Sequence, residues 1–244
     1  MNSVIQSLFD RKSIRVFTDR EITPEEKGLV LRSAVQAPTA GNQQLYTIID
    51  VTDQSIKDAL VKTCDNQPFI ASAKLVLIFC ADCKKWYDAF RFAGCQPRQP
   101  RVGDLALAIS DATIAAQNAV VAAQSLGIGS CYIGDIMENC EAHRDLLHLP
   151  NYVFPCCMLV FGFPTEQQQT RPKPLRSPMT SIVHENHYHD MGAAELEAML
   201  DIRVAPGNTY ENWITAFCKR KYNSDFSREM SRSVGEYLKD YAEN

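Results

Sequence analysis

Residues 104–126 limit what this chain can fold into more than any other stretch. Leu105, Ile109, Ala112, Ala116, Ala119, Val120 and Ala123 leave almost no strongly polar face, and Gly127 closes the run. A helix that is apolar nearly all round has to be buried, so this one is expected to be the hub of a domain or part of a dimer interface. Its alanines let a second helix come close. No stretch of about 18 apolar residues runs without interruption, so no membrane span or membrane partner is expected.

Short strands and amphipathic helices surround the hub. Val4, Ile5, Leu8 and Phe9 make one helical stripe over residues 4–10, and alternation across 11–17 indicates an extended segment. Thr23-Pro24-Glu25-Glu26 is a helix start, with a capping threonine, a proline at the first turn and an acid three residues after the cap. That helix should end near Ala37-Pro38, because the residue before a proline is pushed out of the helical region. Strands are expected at 46–51, 74–81 and 156–163, with a short strand and turn over 127–134. Further helices are expected at 55–63, 141–149, 208–221 and 227–241. The region 164–190, rich in proline and glutamine with a histidine cluster, reads as an extended arm.

The length of 244 residues suits one large domain or two small ones. A hydrophobic share of 45% with a net charge of only -4 excludes a disordered chain and argues against a nucleic-acid partner. Nothing at the N-terminus resembles a targeting segment, so the nine cysteines read as free thiols and the expected location is the cytoplasm.

Two basic clusters could hold a phosphate. Arg11-Lys12-Ser13-Ile14-Arg15 places three cations and a hydroxyl within five residues, and guanidinium forks take two oxygens at once. Arg171-Pro172-Lys173-Pro174-Leu175-Arg176 sets cations on a backbone stiffened by proline. Each alone reads as a solvated surface stretch. The loop Thr39-Ala40-Gly41-Asn42-Gln43-Gln44 offers small residues and amides to a flat ligand, or is simply a connection between helix and strand.

Taken in order, these pieces resemble the NAD(P)H-dependent FMN nitroreductase family, most closely its oxygen-insensitive, flavin-reductase-like branch. The resemblance rests on Arg-Lys-Ser-Ile-Arg at 11–15, Ala-Pro-Thr-Ala-Gly-Asn-Gln-Gln at 37–44 and Ala-Gln-Asn-Ala at 116–119. It continues through Ser-Leu-Gly-Ile-Gly-Ser-Cys-Tyr-Ile-Gly at 125–134, Arg-Pro-Lys at 171–173 and Val-His-Glu-Asn at 183–186. It implies an α+β fold, with a central mixed or antiparallel sheet of four strands wrapped by helices in an intertwined homodimer. On that pattern, residues 1–190 form the FMN-binding core, with 164–190 as its arm, and 191–244 are a helical extension of the same domain.

The resemblance also implies roles. Arg11, Lys12, Ser13 and Arg15 would grip the FMN phosphate or ring edge. Arg171 and Lys173 would complete the phosphate site, with Arg176 as a neighbour. Thr39 and Asn42 would lie at the flavin ring, with Gln67 nearby. Backbone groups of Tyr132, Ile133, Gly134 and Asp135 would face the isoalloxazine and support its anionic reduced state. Asp135 stands where this branch often has a second glycine, and its carboxylate would oppose that charge or point outward. Arg203 matches the place where relatives bind the nicotinamide nucleotide, without a second cation nearby for a 2′-phosphate.

The implied chemistry is hydride transfer from NADH or NADPH to FMN, then two-electron reduction of a nitroaromatic or quinone acceptor in a ping-pong cycle. The cofactor carries that chemistry, so no general acid or base is assigned. Alternatives are a flavin reductase that releases reduced FMN, and a non-catalytic flavin-binding redox sensor. His184, His187 and His189 lack the i, i+4 spacing of a helical metal motif and read as structural. Cys80 and Cys83 read as one buried and one half-exposed packing residue.

Overall fold

The structure, a computed structural model, describes residues 1–242. Four strands form one antiparallel sheet in the order β1-β2-β4-β3: β1 (Tyr46–Asp50), β2 (Leu75–Asp82), β3 (Gly129–Ile133) and β4 (Val153–Gly162). Every residue of β2 and β4 is buried, which explains why these strands read as continuous apolar runs rather than alternating ones. Pro155 sits inside the central strand β4, opposite Cys80 and beside a register shift at Phe79/Cys80. A proline cannot donate to a ladder, so a bulge is where a sheet tolerates it.

Each face of the sheet carries its own core. On one side Leu77, Phe79, Leu159 and Phe161 pack under α2 (Pro24–Val35) and α6 (Val102–Ser125). On the other, Ile78, Val76, Met158 and Val160 meet α3 (Gln54–Thr63), α4 (Phe69–Ser72) and α7 (Cys140–Leu147). The hub helix is α6, and Ala108, Ala112, Ala115, Ala116 and Ala119 are fully enclosed where it crosses the sheet and α2. It is long and apolar enough to cross a membrane by length and composition. Its alanines instead serve close packing.

The capping signals act as read. Thr23 Oγ1 accepts from Glu26 N at 3.2 Å while Glu26 Oε2 accepts from Thr23 N at 2.8 Å. Gly127 ends α6 at a φ of 74°, a left-handed conformation that favours glycine, and Ile128 N reaches back to Ala123 O at 2.9 Å. The chain divides into two compact units, Met1–Arg171 together with the segment from Glu229 onward, and Pro172–Arg228. In the first lies α1 (Ser3–Asp10); in the second lie α9 (Ala193–Leu200) and α10 (Tyr210–Phe217). The final helix α11 (Asp225–Leu238) buries Ser233 and Tyr237, and Arg232 clamps it to Glu141 of α7 by two 2.8 Å bonds.

Several local expectations need correction. A helix, α5 (Lys84–Phe92), follows β2 where none is expected; Trp86, Tyr87 and Phe90 share one side of it, and none of its residues is fully buried. The arm is not extended throughout: α8 (Glu166–Thr170) starts it, because Thr165 is extended and Pro172 waits beyond the last turn. Cys83 is buried, not half-exposed, since the terminal turn at Lys239–Tyr241 brings Tyr241 against it.

Candidate functional site

The segment after α1 enters the sheet region as an extended tail. Ser13 bridges Ser130 in parallel, and Ile14 N donates to Ser130 O at 2.9 Å. Gly129, one residue earlier on β3, makes this possible. A Cβ there would stand 2.6 Å from Ile14 Cγ1, closer than real side chains approach. The glycine is therefore required by the neighbouring chain, not by its own backbone angle.

A reciprocal clasp joins this tail to the end of α8. The Lys12 ammonium donates to Gln169 O at 2.5 Å and also to Arg171 O, and Arg171 Nη2 donates to Ser13 O at 2.7 Å. A lysine on the last carbonyls of a helix also complements its dipole. The buried Gln168 side chain accepts from Arg15 N at 3.4 Å, and the Arg15 guanidinium lies 5.8 Å from the Phe69 ring centroid. Two guanidinium nitrogens, Arg11 Nη1 and Arg171 Nε, are buried with no acceptor among the described residues. A buried charged donor without a partner is costly, and an anion is the kind of group that would relieve that cost.

The turn Cys64–Gln67 leads into α4, which carries Phe69. Asp65 and Asn66 take φ values of 57° and 52°, and Gln67 Nε2 donates to Cys64 O at 2.9 Å. At the end of β3, Tyr132 is half-buried and its hydroxyl donates to Gln117 Oε1 of α6 at 3.3 Å. Burial raises the Tyr132 pKa, Cys157 adds to the rise, and the Arg11 charge opposes both. Ile133 is buried, and Gly134 leads into a single turn at Asp135–Met137. Glu138 follows with its Oε1 buried and unbonded, and burial beside Asp135, Asp65 and Glu229 pushes its carboxyl up to about 7.

The loop between α2 and β1 is fixed by a residue that the motifs did not reveal. Asp111 of α6, 3% exposed, accepts from Thr39 Oγ1, from Ala40 N at 3.0 Å and from Leu45 N at 3.1 Å. Thr39 Oγ1 in turn accepts from Gln44 N at 2.7 Å. Between these anchors Gly41, Asn42 and Gln44 adopt φ of 57°, 55° and 51°. Each non-glycine residue held there costs about 1–2 kcal/mol. The signal in the sequence was Asp111 itself, the one charge beyond the first turn of α6.

The site residues thus fall into groups. Lys12, Ser13, Arg15 and Arg171 are joined to one another or to Ser130 and Gln168, with Arg11 preceding them in the chain and Phe69 against Arg15. The Thr39–Asn42 loop hangs on α6 through Asp111. Asp111 and the Tyr132 contact at Gln117 lie six residues apart, about 9 Å along the helix axis. Lys173, Arg176 and Arg203 belong to the second unit, Arg203 ending a single turn at Asp201–Arg203 with its side chain exposed. His189 there pairs with Glu195 at 2.9 Å.

Beside the loop, Trp86 Nε1 donates to Gln43 O at 2.7 Å. Trp86, Tyr87, Phe90, Pro97 and Leu107 wall a cleft of about 380 Å³. Gln43, Gln96, Arg98 and Asp104 share its lining, and its aromatic faces suit a flat molecule with polar edges.

Comparison with known proteins shows what the chain as a whole is similar to. The chain is 30% identical to the FMN reductase [NAD(P)H] of Bacillus subtilis over 97% of its own length and 91% of that protein. It is 33% identical to the oxygen-insensitive NADPH nitroreductase of Salmonella typhimurium, covering 78% of this chain and 77% of the relative. The solved structure of the NfrA1 nitroreductase from Bacillus subtilis superposes with a TM-score of 0.82 at 27% identity, over 98% of each chain. The profile of the nitroreductase family matches residues 8–163, which hold the whole sheet, the hub helix and the segment carrying Arg11 to Arg15, and this chain belongs to that family.

Proposed function

We propose that the protein is an FMN-dependent NAD(P)H oxidoreductase, and that the cradle of Arg11, Ser13, Arg15 and Arg171 receives the FMN phosphate. The observation that carries this reading is the pair of buried guanidinium nitrogens, Arg11 Nη1 and Arg171 Nε, that lack an acceptor among the described residues. A phosphate supplies the missing charge and oxygens. When bound, FMN supplies a two-electron carrier between NADH or NADPH and a nitroaromatic or quinone acceptor.

The chain's own residues orient and retain that group. Lys12, engaged with the carbonyls of Gln169 and Arg171, braces the cradle, and Arg171 locks onto Ser13 O. Thr39 and Asn42 meet the ring, and the backbone from Tyr132 to Asp135 lines it. The Trp86–Phe90 cleft takes the flat acceptor. Apolar side chains left open on two helices support a homodimer that completes the site. Val4 is 58% and Ile5 41% exposed on α1, and Leu107 is 52% and Ile114 40% exposed on α6. Nine free cysteines support a reducing, cytoplasmic setting.

The name of the Bacillus subtilis relative, an FMN reductase, favours one second reading, in which free FMN is the acceptor. The test is an anaerobic absorbance titration of the FMN-loaded protein with NADH and then NADPH, followed by turnover with nitrofurazone against free FMN. Bleaching of the flavin bands supports the reading and names the donor. A protein that takes up no FMN sinks it. Parallel double-reciprocal lines are expected for alternating use of one site, and intersecting lines would rule that out.

A further inference from the structure

Asp111 accepts three hydrogen bonds, and all come from one loop: Thr39 Oγ1, Ala40 N and Leu45 N. A carboxylate inside a packed core is tolerated only when its oxygens are bonded. Here the bonds pin the loop at both ends, and Thr39 Oγ1 extends the hold to Gln44 N. The residues between must reverse in a short span, which they do through three left-handed conformations. Such strain persists only where the surroundings over-determine it. The outcome is an exposed Asn42 on a backbone with no freedom to drift.

We propose that Asp111 is the positioning residue of the cofactor loop, its two oxygens holding Thr39, Ala40 and Leu45 so that Asn42 meets the flavin ring in one fixed pose. This rests on the reading above that Thr39 and Asn42 lie at the ring. The carboxylate is specifically needed. In an asparagine one oxygen becomes an NH₂ group, so either Ala40 N or Leu45 N faces a donor instead of an acceptor.

The experiment compares Asp111→Asn and Gly41→Ala with the wild-type chain. Gly41→Ala leaves the core alone: an added Cβ meets Gln43 Cγ at an ordinary 3.8 Å, and only the φ of 57° is strained. Dissociation constants for FMN and for riboflavin are measured by fluorescence quenching, with the visible circular dichroism of the bound flavin. Both variants are expected to raise both constants by the same factor, about tenfold or more, because the loop meets the ring that the two flavins share. The dichroism band should change as well.

Wild-type constants in Asp111→Asn overturn the proposal, as does a rise for FMN alone, which would place the effect at the phosphate. Should Asp111→Asn fail to fold, Gly41→Ala still tests whether the held loop conformation governs ring binding, and wild-type constants there overturn the proposal. A wild-type chain that quenches neither flavin overturns the functional reading, and this proposal with it. Wild-type binding with unmoved variants overturns this proposal alone.

Discussion

Gly129→Ala tests whether the cradle depends on a close crossing of two backbones. The new Cβ would stand 2.6 Å from Ile14 Cγ1, 2.8 Å from its Cβ and 3.1 Å from its Cγ2. Ile14 is 4% exposed and cannot swing into solvent without giving up its burial. Overpacking of this kind costs about 1–3 kcal/mol. If Ile14 retreats, its 2.9 Å bond to Ser130 O is lost too, at about 1 kcal/mol. A total near 3 kcal/mol lowers the Tm of a chain this long by about 6–12 °C. Ser13 and Arg15 flank Ile14, so FMN affinity should fall with stability. The double variant Ile14→Ala/Gly129→Ala removes the 2.6 and 3.1 Å clashes and keeps the 2.8 Å one. Its loss should therefore be smaller than the sum of the two single losses, by about 0.5–3 kcal/mol. Thermal melts and FMN titrations of the four proteins settle it. A Gly129→Ala protein that melts within about 1 °C of wild type and holds FMN normally would refute the close-crossing argument.

Three further outcomes are expected. Arg171→Ala should weaken FMN by roughly 10- to 100-fold, the worth of one charge-assisted bond, and leave riboflavin unaffected in the same titration. Glu138 has a folded pKa of about 7 against 4.5 for the free side chain. Its stabilising contribution is complete below about pH 4.5 and is lost as pH rises through about 7. Glu138→Gln should accordingly raise Tm more at about pH 8 than at about pH 5, and an equal change at both would contradict the shift. Finally, Ile114→Asp puts a charge on the open face of α6 and should yield monomers with impaired FMN retention, read by sedimentation and absorbance.

The parts of this fold legible in the sequence are those fixed by local physics. The capping box at Thr23 and Glu26, the hub helix and its Gly127 stop, and the buried runs of β2 and β4 all state their conformation within a few residues. Helix α5 does not, because it is only nine residues long and its apolar side is built from Trp86, Tyr87 and Phe90, and aromatic residues are indifferent helix formers. The site divides in the same way. The basic segment at 11–15 announces an anion, whereas the close approach of Ile14 to Gly129 and the grip of Asp111 on Thr39 join residues more than seventy positions apart. No local pattern encodes such contacts. That Lys12 bonds backbone carbonyls rather than standing open to a ligand is equally a tertiary fact.

The distribution of sulfur has a chemical consequence for any protein that handles reduced flavin in air, where peroxide forms. Oxidation of cysteine to sulfenic acid and beyond begins from the thiolate. Seven of the nine thiols are buried, and only Cys95 and Cys218 are exposed. Burial pushes Cys64 and Cys157 up to about 12 and raises Cys80 and Cys156 further. Those four thiols are therefore held protonated, and all seven buried ones are out of reach of solvent, so oxidative wear should fall on the two peripheral positions. Mass spectrometry after brief alkylation of the folded protein should count two modified sites.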